Sequence, residues 1–261
     1  MTLKVATFNA NSVRARQGII LDWLAREAPD GLCLQETKVQ DKDFPVKSFE
    51  AAGYDVVFRG QKSYNGVAVA SRLPLSDLRV DLSGDGSDEE ARFISARIGS
   101  LSLINVYVPQ GYAVGTHRFE KKLAWLRDLL DHLRSAYNPE APLVITGDFN
   151  VAHDARDVHD PESMDGQVCF HPEERAILQE ILDWGLVDLL RKHEPEGGVY
   201  TYWDYRIPNG VKRNLGWRID YILATPPLVQ TSVNVRIDRD ARLLEKPSDH
   251  TFLWAEFQTR P

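Results

Sequence analysis

The segment Leu143-Val144-Ile145-Thr146-Gly147-Asp148-Phe149-Asn150 sets an apolar run against a carboxylate and a carboxamide two residues apart. Such a run reads as a buried strand, and side chains at i and i+2 of an extended chain point the same way. Asp148 and Asn150 then stand together at a strand end. One can orient or deprotonate a water, and the other can donate to a phosphoryl oxygen. Other apolar runs also border polar groups, in Phe8-Asn9-Ala10-Asn11, Gln35-Glu36-Thr37-Lys38, Tyr107-Val108-Pro109-Gln110, Arg218-Ile219-Asp220-Tyr221 and Ser248-Asp249-His250. Charges beside buried segments are costly unless paired. Scattered caps account for one or two such ends; six point to a common site.

Within this set, Glu36 with Asn9 and Asp249 offers only oxygen donors. Hard divalent cations take such ligands, and Mg2+ needs one or two carboxylates beside water and substrate phosphate. Glu36 capping a turn is the plainer alternative. His250 taken alone reads as a structural histidine. With Asp220 on its other nitrogen it becomes a carboxylate–imidazole pair that supplies a cation beside a phosphate. The chain has no Gly-x-Ser-x-Gly elbow, which disfavours acyl transfer, and no Walker-type or paired-glycine fingerprint. His153 and His159 lie in a long polar loop over residues 152–169 but in no His-Glu-x-x-His frame, so loop histidines are the favoured reading over a zinc site. Tyr200-Thr201-Tyr202-Trp203-Asp204-Tyr205-Arg206 and Lys212-Arg213-Asn214-Leu215-Gly216-Trp217-Arg218 interleave aromatic and basic residues. That pattern suits nucleic acid, where rings stack and cations meet phosphates; its alternative is a tyrosine-rich strand with an exposed hairpin.

The elements that must position these groups follow from periodicity. Strands are expected over residues 3–8, 31–35, 56–58, 66–70, 93–98, 101–108, 143–146, 199–203, 219–224 and 251–257. Helical spacing appears at Ile19, Ile20, Trp23 and Leu24, at Leu123, Leu126, Leu129, Leu130 and Leu133, and at Ile177, Leu178, Ile181 and Leu182. So many strands with so few helices exceed a simple doubly wound fold, and two packed sheets with helices outside fit better. The 261 residues hold no low-complexity linker, so one domain over 1–261 is expected. Residues 81–90 read as an acidic, solvated turn. A net charge of -7 gives no bulk basic footprint but leaves room for a local one. Cys33 and Cys169 show no metal spacing, and Cys33 reads as a buried thiol. With no signal peptide, membrane span or lipidation signal, a cytoplasmic protein is expected.

The motifs Phe8-Asn9-Ala10-Asn11, Leu34-Gln35-Glu36-Thr37-Lys38, Tyr64-Asn65-Gly66-Val67-Ala68, Tyr107-Val108-Pro109-Gln110-Gly111, Gly147-Asp148-Phe149-Asn150, Gly216-Trp217-Arg218-Ile219-Asp220-Tyr221 and Ser248-Asp249-His250 occur in that order. In this the chain resembles the exonuclease III family of apurinic/apyrimidinic endonucleases, of the endonuclease/exonuclease/phosphatase superfamily. The resemblance spans nearly the whole chain and implies a four-layer α/β sandwich, two packed mixed β-sheets flanked by helices. It implies Glu36 as principal ligand of Mg2+ (Mn2+ as substitute), with Asn9 and Asp249 nearby. It implies Asp148 as the group acting on water with Asn150 in support, and His250, held by Asp220, on the scissile phosphate. Tyr107 and Gln110 would touch phosphate as well. Trp217, Ile219 and Tyr202 would wall a pocket for a base-less sugar, and Arg206 would wedge into the duplex. The implied activity is DNA repair: hydrolysis 5′ to abasic sites in double-stranded DNA, leaving a 3′-hydroxyl, with 3′→5′ exonuclease and 3′-end-cleaning activity. The enzyme would work as a monomer, away from membranes, on abasic or 3′-blocked duplex. The alternative is a phosphoesterase acting on a small or lipid-linked phosphate. Two positions depart from the pattern: Asn11 stands where some relatives have Asp, and Ala113 where some place an arginine on DNA.

Overall fold

The computed structural model describes residues 2–84, 86 and 88–258. Met1 and residues 259–261 of the expected domain, and Asp85 and Ser87 of the expected acidic turn, lie outside them. Among the described residues, twelve strands form two six-stranded mixed sheets. The first contains β1 (Thr2–Asn9), β2 (Gly31–Gln35), β3 (Asp55–Arg59), β4 (Val67–Ser71), β11 (Ser232–Asp238) and β12 (Phe252–Gln258), in the order β11-β12-β1-β2-β4-β3. The second contains β5 (Leu75–Arg79), β6 (Phe93–Ile98), β7 (Leu101–Tyr107), β8 (Leu143–Asp148), β9 (Val187–Asp188) and β10 (Asp220–Ala224), in the order β5-β6-β7-β8-β10-β9. Each sheet has one parallel pair at its centre, β1 with β2 and β7 with β8, and antiparallel neighbours elsewhere.

The central strands β2, β4, β8 and β10 are buried at every residue, because both of their faces are covered, which is why they read as unbroken apolar runs. Between the sheets pack Val5, Cys33 and Val69 of the first and Ile94, Leu103 and Ile222 of the second. Outside the first sheet lie α1 (Gln17–Glu27) and α2 (Val46–Ala51), packing Ile20, Trp23 and Phe49. Outside the second lie α3 (His117–Ala136) and α5 (Pro172–Asp183), packing Leu126, Leu130 and Leu178; the short α4 (Pro161–Met164) lies between them in sequence. Short helices α6 (Leu189–His193), α7 (Gly210–Arg213) and α8 (Pro226–Val229) complete the chain. This is the expected four-layer sandwich. No helix of the described residues is long and apolar enough to cross a membrane.

Local sequence explains the main helices. Thr116 caps α3 by accepting from Phe119 N, and α5 starts with Pro172 after a box in which His171 and Glu174 exchange side-chain and backbone bonds. Three strands were not legible. β5 and β11 are edges, β9 has two residues, and their half-polar patterns lack the apolar run of a central strand. The expected strand at 199–203 is corrected: that segment is a loop, with Tyr202 making only isolated bridges to Trp217 and His250. Its backbone bonds go to other loops, Thr201 N and Tyr202 N to Trp217 O and Trp203 N to Asp249 O. Burial of Tyr200 and Trp203 there produced the strand-like pattern.

Buried amides lock the two sheets in register. Gln35 Nε2 donates to Thr7 Oγ1 at 2.9 Å and to Asn105 Oδ1 at 2.6 Å, and Asn105 Nδ2 donates to Leu34 O and Ala68 O. A hydrogen-bonded core network of this kind tolerates no slip without orphaning its members. It lies one layer beneath the strand ends that carry the chemistry.

Candidate active site

Strand register brings the polar ends together. Asn9 closes β1 opposite Gln35, so Glu36 follows at the same edge; Tyr107 closes β7 opposite Asp148, and Asp148 faces Asp220 across β8 and β10. Gly147, with φ +135°, permits the approach of β7, since a Cβ there would stand 2.0 Å from Val106 O. Asn150 turns the chain back in the left-handed region, φ +51°. That turn lets its N–H donate to Asp148 Oδ1 at 2.9 Å and its Nδ2 to Val108 O at 2.9 Å.

Asp148 is buried and its other oxygen is shared. Oδ2 accepts from Asn9 Nδ2 at 2.8 Å and stands 3.7 Å from His250 Nε2. His250 Nδ1 lies 2.8 Å from Asp220 Oδ2. Burial alone works against charge on His250, but the Asp220 and Asp148 carboxylates raise its pKa to about 10, so it is an imidazolium at neutral pH. Burial, together with Asp220 and Glu36, pushes the Asp148 carboxyl up to about 7 against the pull of His250. A carboxylate whose proton affinity is matched to neutral solution is suited to general-base work.

At the mouth, Glu36 sits at φ +49° and is partly exposed. Its Oε1 accepts from Asn9 Nδ2 at 2.8 Å, and Oε2 pairs with Lys38 Nζ at 2.7 Å. Burial opposes its ionisation, but Lys38 and Asn9 hold its pKa below the usual range. Lys38 Nζ also reaches Asn11 Oδ1, and Asn11 Nδ2 reaches Asp249 Oδ1 at 2.9 Å. Asn9 therefore bridges Glu36 and Asp148 through its amide nitrogen, while its Oδ1 accepts from Asn11 N at 3.0 Å. Tyr107 stands beside Glu36, and burial with the Glu36 and Asp148 charges keeps its hydroxyl protonated.

One atom each of Glu36, Asp148 and His250 lie within 4.8 Å of one another, a spacing that suits a metal ion. An imidazolium cannot ligate, and Asp148 is taken up by Asn9, Asn150 and His250, so Glu36 is the carboxylate of this grouping that could hold an ion; the ammonium of Lys38 on it marks a place where positive charge is already favoured. The donor set fits a hard cation. A second grouping, His153, Asp154 and Asp157, does not: Asp157 is held by Arg218 and Arg191 and Asp154 by Arg156.

These groups open onto a cleft of about 510 Å³. Tyr202, Trp217 and Ile219 form one wall, with Gln110, Asn150 and Asp249 also facing it. Arg206 reaches the rim; its side chain is 88% exposed and folds back on Asp204 at 2.6 Å. The sequence-derived residues thus gather at one place, with Asp220 behind His250 and Asn9 behind Glu36 and Asp148 rather than in the cleft lining. Sequence reasoning missed Lys38, the Cys169 thiol in the cleft lining and Lys122 beneath it; only a lysine directly after Glu36-Thr37 gave a signal.

The chain matches the Endonuclease/Exonuclease/phosphatase family over residues 6–250. It is 35% identical to the exodeoxyribonuclease III of Haemophilus influenzae over 98% of this chain and 100% of that protein. Among solved structures, an AP endonuclease from Archaeoglobus fulgidus superposes with a TM-score of 0.95 at 44% identity, covering 98% of this chain and 100% of the other. A 3′ phosphatase from Neisseria, bound to a product DNA hairpin, superposes at 0.94 with 37% identity and the same coverage.

Proposed function

Because the chain belongs to the exonuclease III group of the endonuclease/exonuclease/phosphatase family, we propose that it is a DNA repair nuclease that hydrolyses the phosphodiester 5′ to abasic sites in duplex DNA. It leaves a 3′-hydroxyl and also trims or cleans 3′ ends, acting as a monomer with Mg2+, for which Mn2+ can substitute. The observation that carries this reading is a base beside a fixed cation in one cleft: Asp148, with a carboxyl near neutrality, 3.7 Å from an imidazolium held by Asp220.

Asp148 takes a proton from a water as that water's oxygen attacks phosphorus in line with the 3′ oxygen of the upstream nucleotide. The phosphorus–oxygen bond breaks, and the 3′ oxygen leaves with the electron pair and takes a proton from solvent water, while the proton on Asp148 returns to solvent. His250 keeps its charge and donates to a non-bridging oxygen, and the Tyr107 hydroxyl donates beside it. Donors placed where charge grows are worth several kcal/mol in a dry site. Glu36, with Asn9 and Asp249 nearby, would hold Mg2+, which when bound would supply Lewis-acid withdrawal of charge from the phosphate. Trp217, Ile219 and Tyr202 enclose a sugar, and one without a base loses less stacking on leaving the duplex. This wall, and the exposed Arg206 at the rim, favour DNA over a small or lipid-linked phosphate.

The test is incision of a labelled duplex carrying one abasic analogue, beside undamaged duplex, in Mg2+ and in EDTA. Cutting 5′ to the lesion, lost in EDTA, is expected. Ladders from the 3′ end alone would make the protein chiefly an exonuclease, and no cleavage of either duplex would favour the small-phosphate reading.

A further inference from the structure

The floor of the cleft rests on a buried charge that the chemistry above leaves unused. Lys122, on α3, is fully buried, and an ammonium has three N–H donors and no acceptor. Three oxygens surround it: Asn150 O at 2.6 Å, Gln110 O at 3.2 Å and Glu174 Oε1 at 2.5 Å. The Cys169 sulfur stands at 3.8 Å. Glu174 is fully buried too, and its Oε2 is engaged by His171 N at 3.0 Å at the start of α5. The two carbonyls belong to residues that line the cleft, on the segments leaving β7 and β8.

The backbone around this ammonium is unusual. Asn150, Cys169 and Gly111 have φ of +51°, +70° and +93°, a region that side-chain-bearing residues seldom occupy. Gly111 leaves room for the lysine stem, since a Cβ there would lie 3.0 Å from Lys122 Cδ. A buried carbonyl must find a partner, and at Asn150 that partner is Lys122. The same turn of Asn150 directs its N–H onto Asp148 Oδ1.

We propose that Lys122 is a positioning residue of the active site: anchored by Glu174, its ammonium holds the Asn150 and Gln110 carbonyls and thereby sets the aim of Asp148 at the phosphate. The inference rests on the nuclease reading above. A purely structural ion pair joining α3 to α5 would lower stability and leave turnover by the folded protein alone. A positioning role lowers kcat while KM for DNA stays put, because the donors are lost behind the reacting groups and not at the DNA surface.

The test is steady-state and single-turnover incision of abasic duplex by Lys122→Met/Glu174→Gln, with thermal melting alongside. The pair substitution removes both buried charges together, and the glutamine still accepts from His171 N. The expected result is a fall in kcat of about 10- to 100-fold, the scale on which a displacement of about 1 Å acts, with KM within about two-fold. A folded double variant with wild-type kcat, or one altered in KM alone, overturns the proposal. Should that variant melt below assay temperature, Lys122→Gln/Glu174→Gln, which keeps an amide donor and leaves no unpaired buried charge, decides by the same split. Wild-type protein run in parallel separates the two ideas: if it fails to incise, the nuclease reading falls and not the clamp.

Discussion

Asp148 and Asp220 are direct register partners across the antiparallel pair β8–β10, two carboxylates each about 1% exposed. Like charges opposite one another in a ladder destabilise it. The fold resolves this with His250, whose Nδ1 is 2.8 Å from Asp220 and whose Nε2 is 3.7 Å from Asp148. The inequality assigns the roles. Asp220 is committed to the imidazole, while Asp148 Oδ2, which accepts from Asn9 and stands off from His250, has acceptor capacity left for a water.

Replacing Asp220 with Asn removes the charge that holds His250 protonated and lets the ring adopt the wrong tautomer. Single-turnover incision is expected to fall about 10³- to 10⁴-fold, as when a buried aspartate behind a catalytic histidine is neutralised. Duplex affinity, read by fluorescence anisotropy, should hold within a few-fold. A parallel loss of affinity would make Asp220 a binding determinant instead.

The rate should follow the ionisation of Asp148. With its carboxyl raised to about 7 by burial and by Asp220 and Glu36, the active carboxylate form is lost as pH falls below that value. His250 stays charged until about pH 10. Log kcat should therefore climb through a limb near 7, level off, and decline toward 10. Raising Mg2+ offsets the Glu36 charge, so the limb should shift to lower pH. Asp148→Asn should have no such limb and little residual activity while still binding DNA; a variant with the wild-type limb would remove Asp148 as the base.

Glu36→Gln keeps the shape of the side chain and loses the charge that draws a cation. Calorimetric titration with Mg2+ should show about ten-fold or greater weakening, and incision should need correspondingly more metal, as expected when one of only one or two carboxylate ligands is lost. Unchanged affinity would move the metal to other donors of the cleft. Because Lys38 shares Glu36 Oε2, Lys38→Met should have the opposite sign on metal affinity.

How far the sequence could be read follows from where information resides. Asp148 and Asn150 were legible because a buried run that stops at a carboxylate leaves few explanations, and the six strand ends do converge. Asn9 was expected near metal from its residue type; its placement as a bridge between Glu36 and Asp148 depends on the packing of two sheets, which spacing along one strand does not encode. β11 escaped notice because Ser232–Asp238 is an edge with polar residues on its open side. Tyr200 and Trp203 misled for the converse reason, being buried by loops rather than by a sheet. Lys122 was invisible because a lysine in a helical repeat reads as solvated, and only the tertiary structure supplies its two carbonyl acceptors and its carboxylate partner.

A last prediction lies away from the cleft. His132, on α3, packs edge-on against Phe93 and Tyr137. Burial, with the nearby Arg79, lowers its pKa from 6.5 to about 4, against the opposing pull of Asp81. The fold thus holds this ring neutral, while the unfolded chain takes up a proton at about 6.5. Its contribution is complete above pH 6.5 and is lost as pH falls from there toward 4, since the unfolded state binds more protons in that window. Compared by urea melts, the wild type should lose more stability than His132→Gln as pH falls across that interval, and the variant should be the less stable at pH 8. An unchanged slope would remove His132 as the source of acid sensitivity in that interval, since a carboxylate held ionised, such as Asp157 between Arg218 and Arg191, gives up its contribution only at lower pH.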